Sequence, residues 1–556
     1  MKLESLVKKI AYRLIGQDGK QISEEACVRE LLDTEITGIT NDSREVRSGS
    51  LFFCIEGSVS DGHAYAGGAI EKGAAALVVQ KMPDFSDLPP AFSAESFSGE
   101  HPENPSGERS EKPSTEHSEK SSERLSDLSV ETSKIGGRRF PAIIRVEDSR
   151  KAMAVMSAAF YGDPAKEMKI IGVTGTKGKT TTTYMVRSIL EAAGIRTGLV
   201  GTIETLYPTP EGEVRIPAAN TTPESIVLQK TFREMADSGV QAVVMEVSSQ
   251  ALMLHRTGGF VFDLGIFTNL SPDHIGPNEH KDFEDYLHCK SLLFRQCRTG
   301  ILNGDDPYFE KILEGSTCAV ETFGLGENCD LRAKNIGLIH TPGELGITFD
   351  TEGLLSLHAH VPAPGKFSVY NALCAIAVCR HFDVPEDAVC SALRQIHVRG
   401  RIEMVKVSDD FTLMIDYAHN AMALESLLRT LREYEAGRLV CVFGCGGNRA
   451  RSRRFEMGEV SGRLADLTVI TSDNPRFEEP MDIIKDIVTG ITPTGGAYVE
   501  IPDRKEAIRY VIENGRPGDI IVLAGKGHED YQEIKGKKYP MDERDLIREV
   551  LEEMPK

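Results

Sequence analysis

The sequence predicts an α/β fold in three domains, and three observations carry that expectation. Its 556 residues exceed what one hydrophobic core organises, at about 100–200 residues per domain. Short apolar runs of strand length alternate with longer helical stretches, as in parallel sheets covered by helices. One run, KIIGV (169–173), leads directly into a glycine-rich turn and a helix-forming stretch, and the alternation restarts near Arg399.

Taken in order, MKLESLVKKIAYRLIG (1–16) reads as an amphipathic helix, its scattered charges excluding an apolar signal core. LFFCI (51–55), AALVV (75–79) and PAIIRV (141–146) read as strands, linked by a helical SREVRSGS region (43–50) and the glycine-rich DGHAYAGGAIEKGAAA (61–76). They form a small α/β domain, residues 1–164. Within it, residues 84–138 are rich in Ser, Glu, Lys and Pro and nearly free of large apolar groups. Such a stretch buries too little surface to offset its ordering entropy and is expected to be a disordered insertion. The central domain, 165–398, opens on the 169–173 strand and a helix from Lys179 to about Ala193, stopped by Gly194. QAVVME (241–246) and DLGIFT (263–268) are its next strands, predicting a doubly wound parallel sheet. The third domain, 399–556, carries LVCVF (439–443), LTVIT (467–471) and DIIVLA (519–524).

Composition narrows the function. The net charge is -20, with 40% hydrophobic and 27% charged residues, so no basic nucleic-acid-binding face is indicated. Anionic ligands must then be held by local cations and backbone amides. No apolar run of about 18 residues predicts a membrane span. The 11 cysteines are dispersed and odd in number, which argues against a closed disulfide framework. Reduced thiols are expected, and Cys441 and Cys445 lack a second pair at zinc-ligand spacing.

The strongest local signal is Gly172-Val173-Thr174-Gly175-Thr176-Lys177-Gly178-Lys179-Thr180-Thr181. Gly175 and Gly178 allow the backbone to curl its N–H groups toward phosphate oxygens at a helix N-terminus. Lys179 is placed to reach outer phosphates, and the Thr180 hydroxyl to bind magnesium. Gly-x-x-Gly-Lys-Thr is shorter than the full Walker spacing, and alone it implies only a nucleoside triphosphate.

That short loop resembles the loop of the Mur ligases and their folylpolyglutamate synthetase relatives. Further stretches are similar to the Mur ligases in the same order: DSR (42–44), ANTTPE (219–224), MEVSSQAL (245–252), TNLSPDH (268–274), YLHCKSLLF (286–294), LNGDDP (302–307), GKFSVYNALCAIA (365–377), VRGRIE (398–403), DYAHN (416–420), DNPRFEEP (473–480) and AGKGHEDYQ (524–532). They cover nearly all the chain outside the insertion. The resemblance implies a three-domain Mur ligase architecture: an N-terminal uridine-nucleotide-binding domain, a central phosphate-loop parallel-sheet ATPase domain and a C-terminal Rossmann-like domain. It implies a cytoplasmic, monomeric, ATP-dependent ligase. A peptide carboxylate of a uridine-linked muramyl dipeptide is phosphorylated, and an incoming amino acid then displaces phosphate.

The resemblance also distributes roles. Gly175, Thr176, Lys177, Gly178, Lys179, Thr180, Thr181, Asn371, Arg401 and Asp416 would meet ATP. Thr180, Glu246, His274 and Lys290 would hold magnesium, with Lys290 carbamylated by carbon dioxide. Lys179, Glu246, His274 and Lys290 form the catalytic set. Ser43, Asn220, Thr221, Thr222, Ser248 and Arg256 would bind the uridine-linked substrate. Arg454, Asp473, Asn474, Pro475, Arg476, Gly525 and Glu529 would bind the amino acid. The arginines would clamp a carboxylate of meso-diaminopimelate, and Glu529 the distal ammonium. Read without the family, Glu246 is also a capping or solvated carboxylate, Lys290 a surface helix lysine, and Arg401 an interdomain ion-pair partner. Lysine as the added amino acid, a related acceptor, a folate-type ligase and a nucleotide-dependent binding protein stay open as alternatives. Departures from the family pattern are Lys177 for Asn, Gln250 for His, Leu254 for Gln, Ser58-Val59-Ser60 for His-Gln-Ala, and Asn420-Ala421-Met422 for Thr-Pro-Asp.

Overall fold

The computed structural model describes residues 1–57, 60–86, 134–135, 138–276, 279–341 and 343–554. Most of the expected insertion at 84–138, and positions 58 and 59 among the departures, lie outside those residues. The chain divides into two compact units. One comprises Met1–Lys166, Glu224–Glu234 and Met253–Phe260; the other comprises Glu167–Pro223, Met235–Leu252 and Val261–Lys556.

A five-stranded sheet organises the first unit. Strands Gly38–Thr40, Ser50–Phe53, Ala76–Val79 and Ala142–Arg145 run parallel in that spatial order. Arg13–Ile15 pairs antiparallel with Ala142–Arg145 at the edge. The strands read as unbroken apolar runs because both faces are covered. Leu51, Phe53, Ala76 and Val78 enter one core, and Phe52, Cys54, Leu77 and Val79 the other. Two expectations are corrected here. The N-terminal stretch is helical only over Leu3–Val7, because residues 13–15 are taken as an edge strand with Leu14 and Ile15 in opposite cores. Ser50 already opens the next strand, and residues 43–49 form turns and irregular backbone instead of a helix. There the Asp42 carboxylate accepts the Arg44 backbone N–H at 2.9 Å, an Asx turn that competes with helical bonding.

The second unit contains an eleven-stranded sheet. Its parallel centre runs Thr197–Val200, Ala242–Glu246, Lys169–Thr174, Phe262–Phe267, Cys297–Asn303, Ala319–Gly324, Leu331–Thr341. Antiparallel strands extend both edges, Glu204–Thr209 and Gly212–Pro217 on one side, Glu344–Gly353 and His358–Val361 on the other. The expected parallel sheet forms the centre, and the antiparallel edges add to it. Hairpin strands such as Gly212–Pro217 are largely exposed and lack the apolar run by which buried strands are recognised. Helices Lys179–Ala192 and Lys366–Arg380 cover the centre through Met185, Val186, Ile189, Leu373 and Ile376. The first of these helices ends where Gly194, at φ 77°, lets Ile195 N–H reach back to Leu190 O at 2.9 Å.

A six-stranded sheet follows in the same unit, ordered Glu403–Val405, Thr412–Asp416, Ile520–Ala524, Leu439–Phe443, Leu467–Ile470, Tyr498–Glu500 and parallel except at its first strand. Leu439, Cys441, Phe443, Ile520 and Val522 pack in one core, while Val440, Val442, Ile521 and Leu523 pack in the other. Each fully buried Leu, Ile, Val or Phe among them contributes about 1.5–3 kcal/mol. Among the described residues, no helix is long and apolar enough to cross a membrane.

Candidate active site

Strand Lys169–Thr174 lies between Ala242–Glu246 and Phe262–Phe267, all parallel. The glycine-rich loop therefore emerges at the C-terminal edge of the sheet, flanked by Glu246 and Thr268. Gly175 takes φ 147° and Gly178 φ 86°. A Cβ on Gly175 would fall 2.0 Å from Thr268 Oγ1, and one on Gly178 2.4 Å from Asn371 Oδ1. Both glycines are thus required by close approach as well as by backbone angle. Thr176 N–H donates to Asn269 O and Lys177 N–H to Asn269 Oδ1, each at 2.9 Å, while Thr268 Oγ1 donates to Lys177 O at 2.7 Å. These bonds fix the loop through the backbone of Thr176 and Lys177 and make no use of the Lys177 side chain.

Lys179 curls over the loop, donating to Gly175 O at 2.9 Å and Thr176 O at 3.1 Å. Burial lowers its pKa; the Glu246 charge opposes this and the Arg401 charge reinforces it. Thr180 Oγ1 lies 3.0 Å from both carboxylate oxygens of Glu246. Glu246 is 1% exposed and also accepts Thr202 N–H at 2.8 Å and Thr202 Oγ1 at 3.0 Å. Thr181, on the first turn of the helix, is half-buried.

Lys290, on helix Phe283–Ser291, is 1% exposed, not the surface lysine a bare reading suggests. Its Nζ donates to Gly175 O at 2.8 Å and sits 4.5 Å from the centre of the Tyr286 ring. Burial, then the like charge of Lys179, holds its pKa well below the ordinary lysine value. Tyr286 in turn shares a hydrogen bond with Thr176 Oγ1 at 3.1 Å. His274 adopts φ 54° and is exposed, with Nδ1 3.1 Å from Glu279 Oε1; its ring lies 6.2 Å from that of Tyr286. Asn371 is buried and accepts Thr182 Oγ1 at 3.4 Å. Arg401 stacks 4.8 Å from the Tyr417 ring centre, with its Nε buried and unpartnered. Asp416 accepts Ile402 N–H at 2.9 Å and Ala418 N–H at 2.8 Å; burial raises its pKa against the opposing charge of Arg401.

The residues expected to meet the uridine-linked substrate fall in both units. In the first unit, Ser43 lends its carbonyl to Lys72 Nζ at 2.7 Å, and Arg256 pairs with Glu224 at 2.8 Å. In the second, Thr221 Oγ1 lies 3.1 Å from Thr202 Oγ1, and Asn220 is exposed beside it. Thr222 Oγ1 donates to Glu246 O at 2.9 Å and accepts Ser248 N–H at 3.1 Å. Ser248 Oγ accepts Ala251 N–H at 3.2 Å, opening the short helix Ser249–Met253.

At the C-terminal edge of the six-stranded sheet, the loops after Ile520–Ala524 and Leu467–Ile470 flank the loop after Leu439–Phe443. Asn474 Nδ2 donates to Glu529 Oε2 at 2.9 Å, and buried Lys526 donates to the same carboxylate at 2.8 Å and to Asn474 Oδ1 at 3.1 Å. Asp473 Oδ1 lies 3.6 Å from Lys526 Nζ. Gly525 takes φ 107° at the turn. Burial pushes the Glu529 carboxyl up, but the Lys526 charge and hydrogen bonds outweigh it and hold it low. Arg476, at φ 51°, donates from Nη1 to Gly447 O at 2.8 Å and from Nε to Glu533 at 3.0 Å. Pro475 packs its carbonyl against Gly447, where a Cβ would fall 2.0 Å away. A cavity of about 490 Å³ adjoins this loop; Pro475 and Arg476 line it, whereas Asp473, Asn474 and Glu529 do not.

Family models match three segments of the chain. Residues 173–379 match the Mur ligase middle domain, 400–527 the Mur ligase glutamate ligase domain, and 35–116 the Mur ligase family catalytic domain. A Clostridium acetobutylicum protein named UDP-N-acetylmuramoyl-L-alanyl-D-glutamate–2,6-diaminopimelate ligase 1 is 39% identical over 557 residues, covering 100% of both chains. A Clostridium botulinum protein named as the corresponding ligase is 38% identical over 562 residues, again covering 100% of each. The chain belongs to the Mur ligase family. It is an ATP-dependent ligase of α/β architecture. The same fold appears in the solved structure of a UDP-N-acetylmuramoyl-L-alanyl-D-glutamate–2,6-diaminopimelate ligase, with TM-score 0.64, 24% identity and 99% of each chain covered.

Within this Mur ligase, one arginine expectation meets a different setting. Arg454 is 2% exposed, donating to Asp486 at 3.0 Å and Glu478 at 2.8 Å, so it is a buried pair partner and not an open clamp. Arg449, which the sequence reading passed over, is exposed beside Gly446, where a Cβ would lie 2.8 Å from Arg476 Nη1 and 3.9 Å from Arg449 Cγ. Thr202, Asn269, Tyr286 and Lys526 were also missed as site residues. Asn269, Tyr286 and Lys526 stand inside motifs quoted for the resemblance, which was the available signal. Thr202 had none, because its contact with Glu246 depends on two neighbouring strands meeting.

Proposed function

We propose that this Mur ligase joins meso-diaminopimelate to UDP-N-acetylmuramoyl-L-alanyl-D-glutamate, using ATP, in the bacterial cytoplasm. The observation that carries the specificity is the Asp473-Asn474-Pro475-Arg476 loop joined to Lys526 and Glu529 at one sheet edge, in a chain whose full-length relatives are named for that reaction. Arg476 and Arg449 are the cations available to the distal carboxylate, and Glu529 and Asp473 the anions available to ammonium groups.

Residues at the phosphate loop fit magnesium. Thr180 and Glu246 bring hard oxygen donors together in a buried place, and the Glu246 carboxylate is met there by the neutral donors Thr180 Oγ1, Thr202 N–H and Thr202 Oγ1. Thr180, Glu246, His274 and carbamylated Lys290 would hold the metal, which when bound neutralises charge on the transferring phosphoryl group. Lys290 supports that modification because carbamate formation requires a neutral amine, and its buried setting beside Lys179 favours one. Lys179 and the curled backbone of 175–180 orient the triphosphate, and Asn371, Arg401 and Asp416 flank the nucleotide. The γ-phosphoryl group passes to the peptide carboxylate, giving an acyl phosphate and ADP. The free amine of the amino acid then attacks the acyl carbon, phosphate leaves, and the amine proton is released. Ser43, Asn220, Thr221, Thr222, Ser248 and Arg256 supply the polar groups for the uridine-linked acceptor.

Phosphate release from purified protein with ATP, magnesium, the uridine-linked dipeptide and single amino acids tests this reading. Release with diaminopimelate and not lysine is expected; release with lysine alone overturns the specificity. The modification is read separately by ¹³C spectroscopy in labelled bicarbonate. A carbamate signal in wild type that disappears in Lys290→Gln is expected, and no signal in wild type rejects it.

A further inference from the structure

His280 lies between two segments of the phosphate-loop site, one bearing Ser249 and one bearing Asp285, without belonging to the set assigned to it. It is 0% exposed. Its Nδ1 lies 3.0 Å from Asp285 Oδ2 and its Nε2 lies 2.8 Å from Ser249 Oγ. A carboxylate can only accept, so Nδ1 donates to Asp285, and Nε2 shares the second hydrogen bond with the Ser249 hydroxyl. The result is a buried Ser249–His280–Asp285 chain with both ring nitrogens satisfied.

Each end of the chain is attached to a site element. Ser249 directly follows Ser248 and stands three residues past Glu246. Asp285 lies on helix Phe283–Ser291, one residue before Tyr286 and about one turn and a half before Lys290. The His280 ring lies 5.2 Å from that of Tyr286, which bonds Thr176 of the phosphate loop and underlies Lys290. The backbone of His280 is committed as well. Its N–H donates to His274 O at 3.0 Å, and its carbonyl accepts Gly276 N–H at 3.1 Å, pinning the segment that bears His274.

We infer that His280 is a positioning residue for the ligase reaction: through Ser249 and Asp285 it sets the distance between the acceptor-side strand end bearing Glu246 and the helix bearing Lys290. Neither ring nitrogen is free, so His280 acts on the chemistry only through the groups it holds. Buried and doubly bonded, it keeps two separate segments in one register, and a misplacement of about 1 Å between reacting groups costs up to about a hundredfold in rate. The inference rests on the reading of Glu246 and Lys290 given above.

The test uses the full-length protein with ATP, magnesium, the uridine-linked dipeptide and diaminopimelate. Wild-type turnover checks the underlying reading independently of any variant. Ser249→Ala and Asp285→Ala are each expected to lower kcat by about tenfold, with the KM for ATP within about twofold of wild type, because the nucleotide loop keeps its own bonds. Being links of one chain, the two should be non-additive, so that the double variant is no slower than about twice the worse single one. Asp285→Asn, which retains an acceptor oxygen, should recover part of the loss. Multiplying effects in the double variant would overturn the inference. So would wild-type kcat in either alanine variant, or a loss confined to melting temperature. If wild type itself shows no turnover, the functional reading fails, not the hydrogen-bond chain.

Discussion

Two arginines, Arg454 on helix Ser452–Leu464 and Arg476 on the loop after Leu467–Ile470, show how much a residue's role depends on its setting. The Arg454 guanidinium is buried between Asp486 and Glu478, so truncating it strands carboxylates. Arg454→Ala is expected to destabilise the protein by about 3–5 kcal/mol, read as a fall in the urea midpoint. Arg476 is partly exposed and holds Glu533 and the Gly447 carbonyl. Arg476→Ala should cost only about 1 kcal/mol, raise the KM for diaminopimelate at least about tenfold, and leave ADP binding by calorimetry unchanged. An unaltered amino-acid preference would count against the proposed pocket. Lys290 teaches the same lesson. Helix position alone suggested an exposed cation, whereas packing against Tyr286 and Gly175 buries it.

Element-scale behaviour follows from turns and caps. Gly178 opens the helix Lys179–Ala192 at φ 86°, with Asn371 Oδ1 where a side chain would start. Gly178→Ala should therefore distort the loop and lower ATP affinity at least about tenfold by titration calorimetry, with the far-ultraviolet dichroism retained. Normal affinity would show that the loop does not depend on that close approach. Asn420, one of the departures from the family pattern, also has a visible task. Its Oδ1 accepts Ala423 N–H at 2.9 Å, capping helix Ala421–Arg432. Asn420→Ala is expected to cost about 1 kcal/mol in chemical denaturation. The parallel strands, the phosphate-loop helix and its glycine stop were legible because burial on both faces imposes continuous apolar runs. The antiparallel edges and the first-unit edge strand were not, since their identity comes from the neighbour they pair with.

For the second unit as a whole, the segment between its two large sheets is held by Glu403. Its carboxylate accepts Gly400 N–H at 2.6 Å and Arg544 at 2.7 Å, and Arg544 also donates to Gly527 O at 3.0 Å. Burial pushes the Glu403 carboxyl up, but hydrogen bonds from His397, Arg544 and the Gly400 N–H outweigh it and hold it at about 2. A folded-state value below the unfolded value of about 4.3 means that the contribution is complete above that pH and is lost as pH falls toward 2. Comparing urea midpoints of wild type and Glu403→Gln from pH 6 to 3 should show their difference shrinking below about pH 4.3; a constant difference would reject the linkage. The sequence alone determined the α/β class, the order of the Mur ligase motifs and the phosphate loop, because strand burial, glycine angles and helix N-termini act over a few neighbouring residues. Only the tertiary structure decided that Lys290 is buried, that Arg454 is a pair partner, that Thr202 meets Glu246 and that His280 joins two segments. Those outcomes arise where residues far apart in the chain share one desolvated space, and no local pattern encodes which groups will meet there.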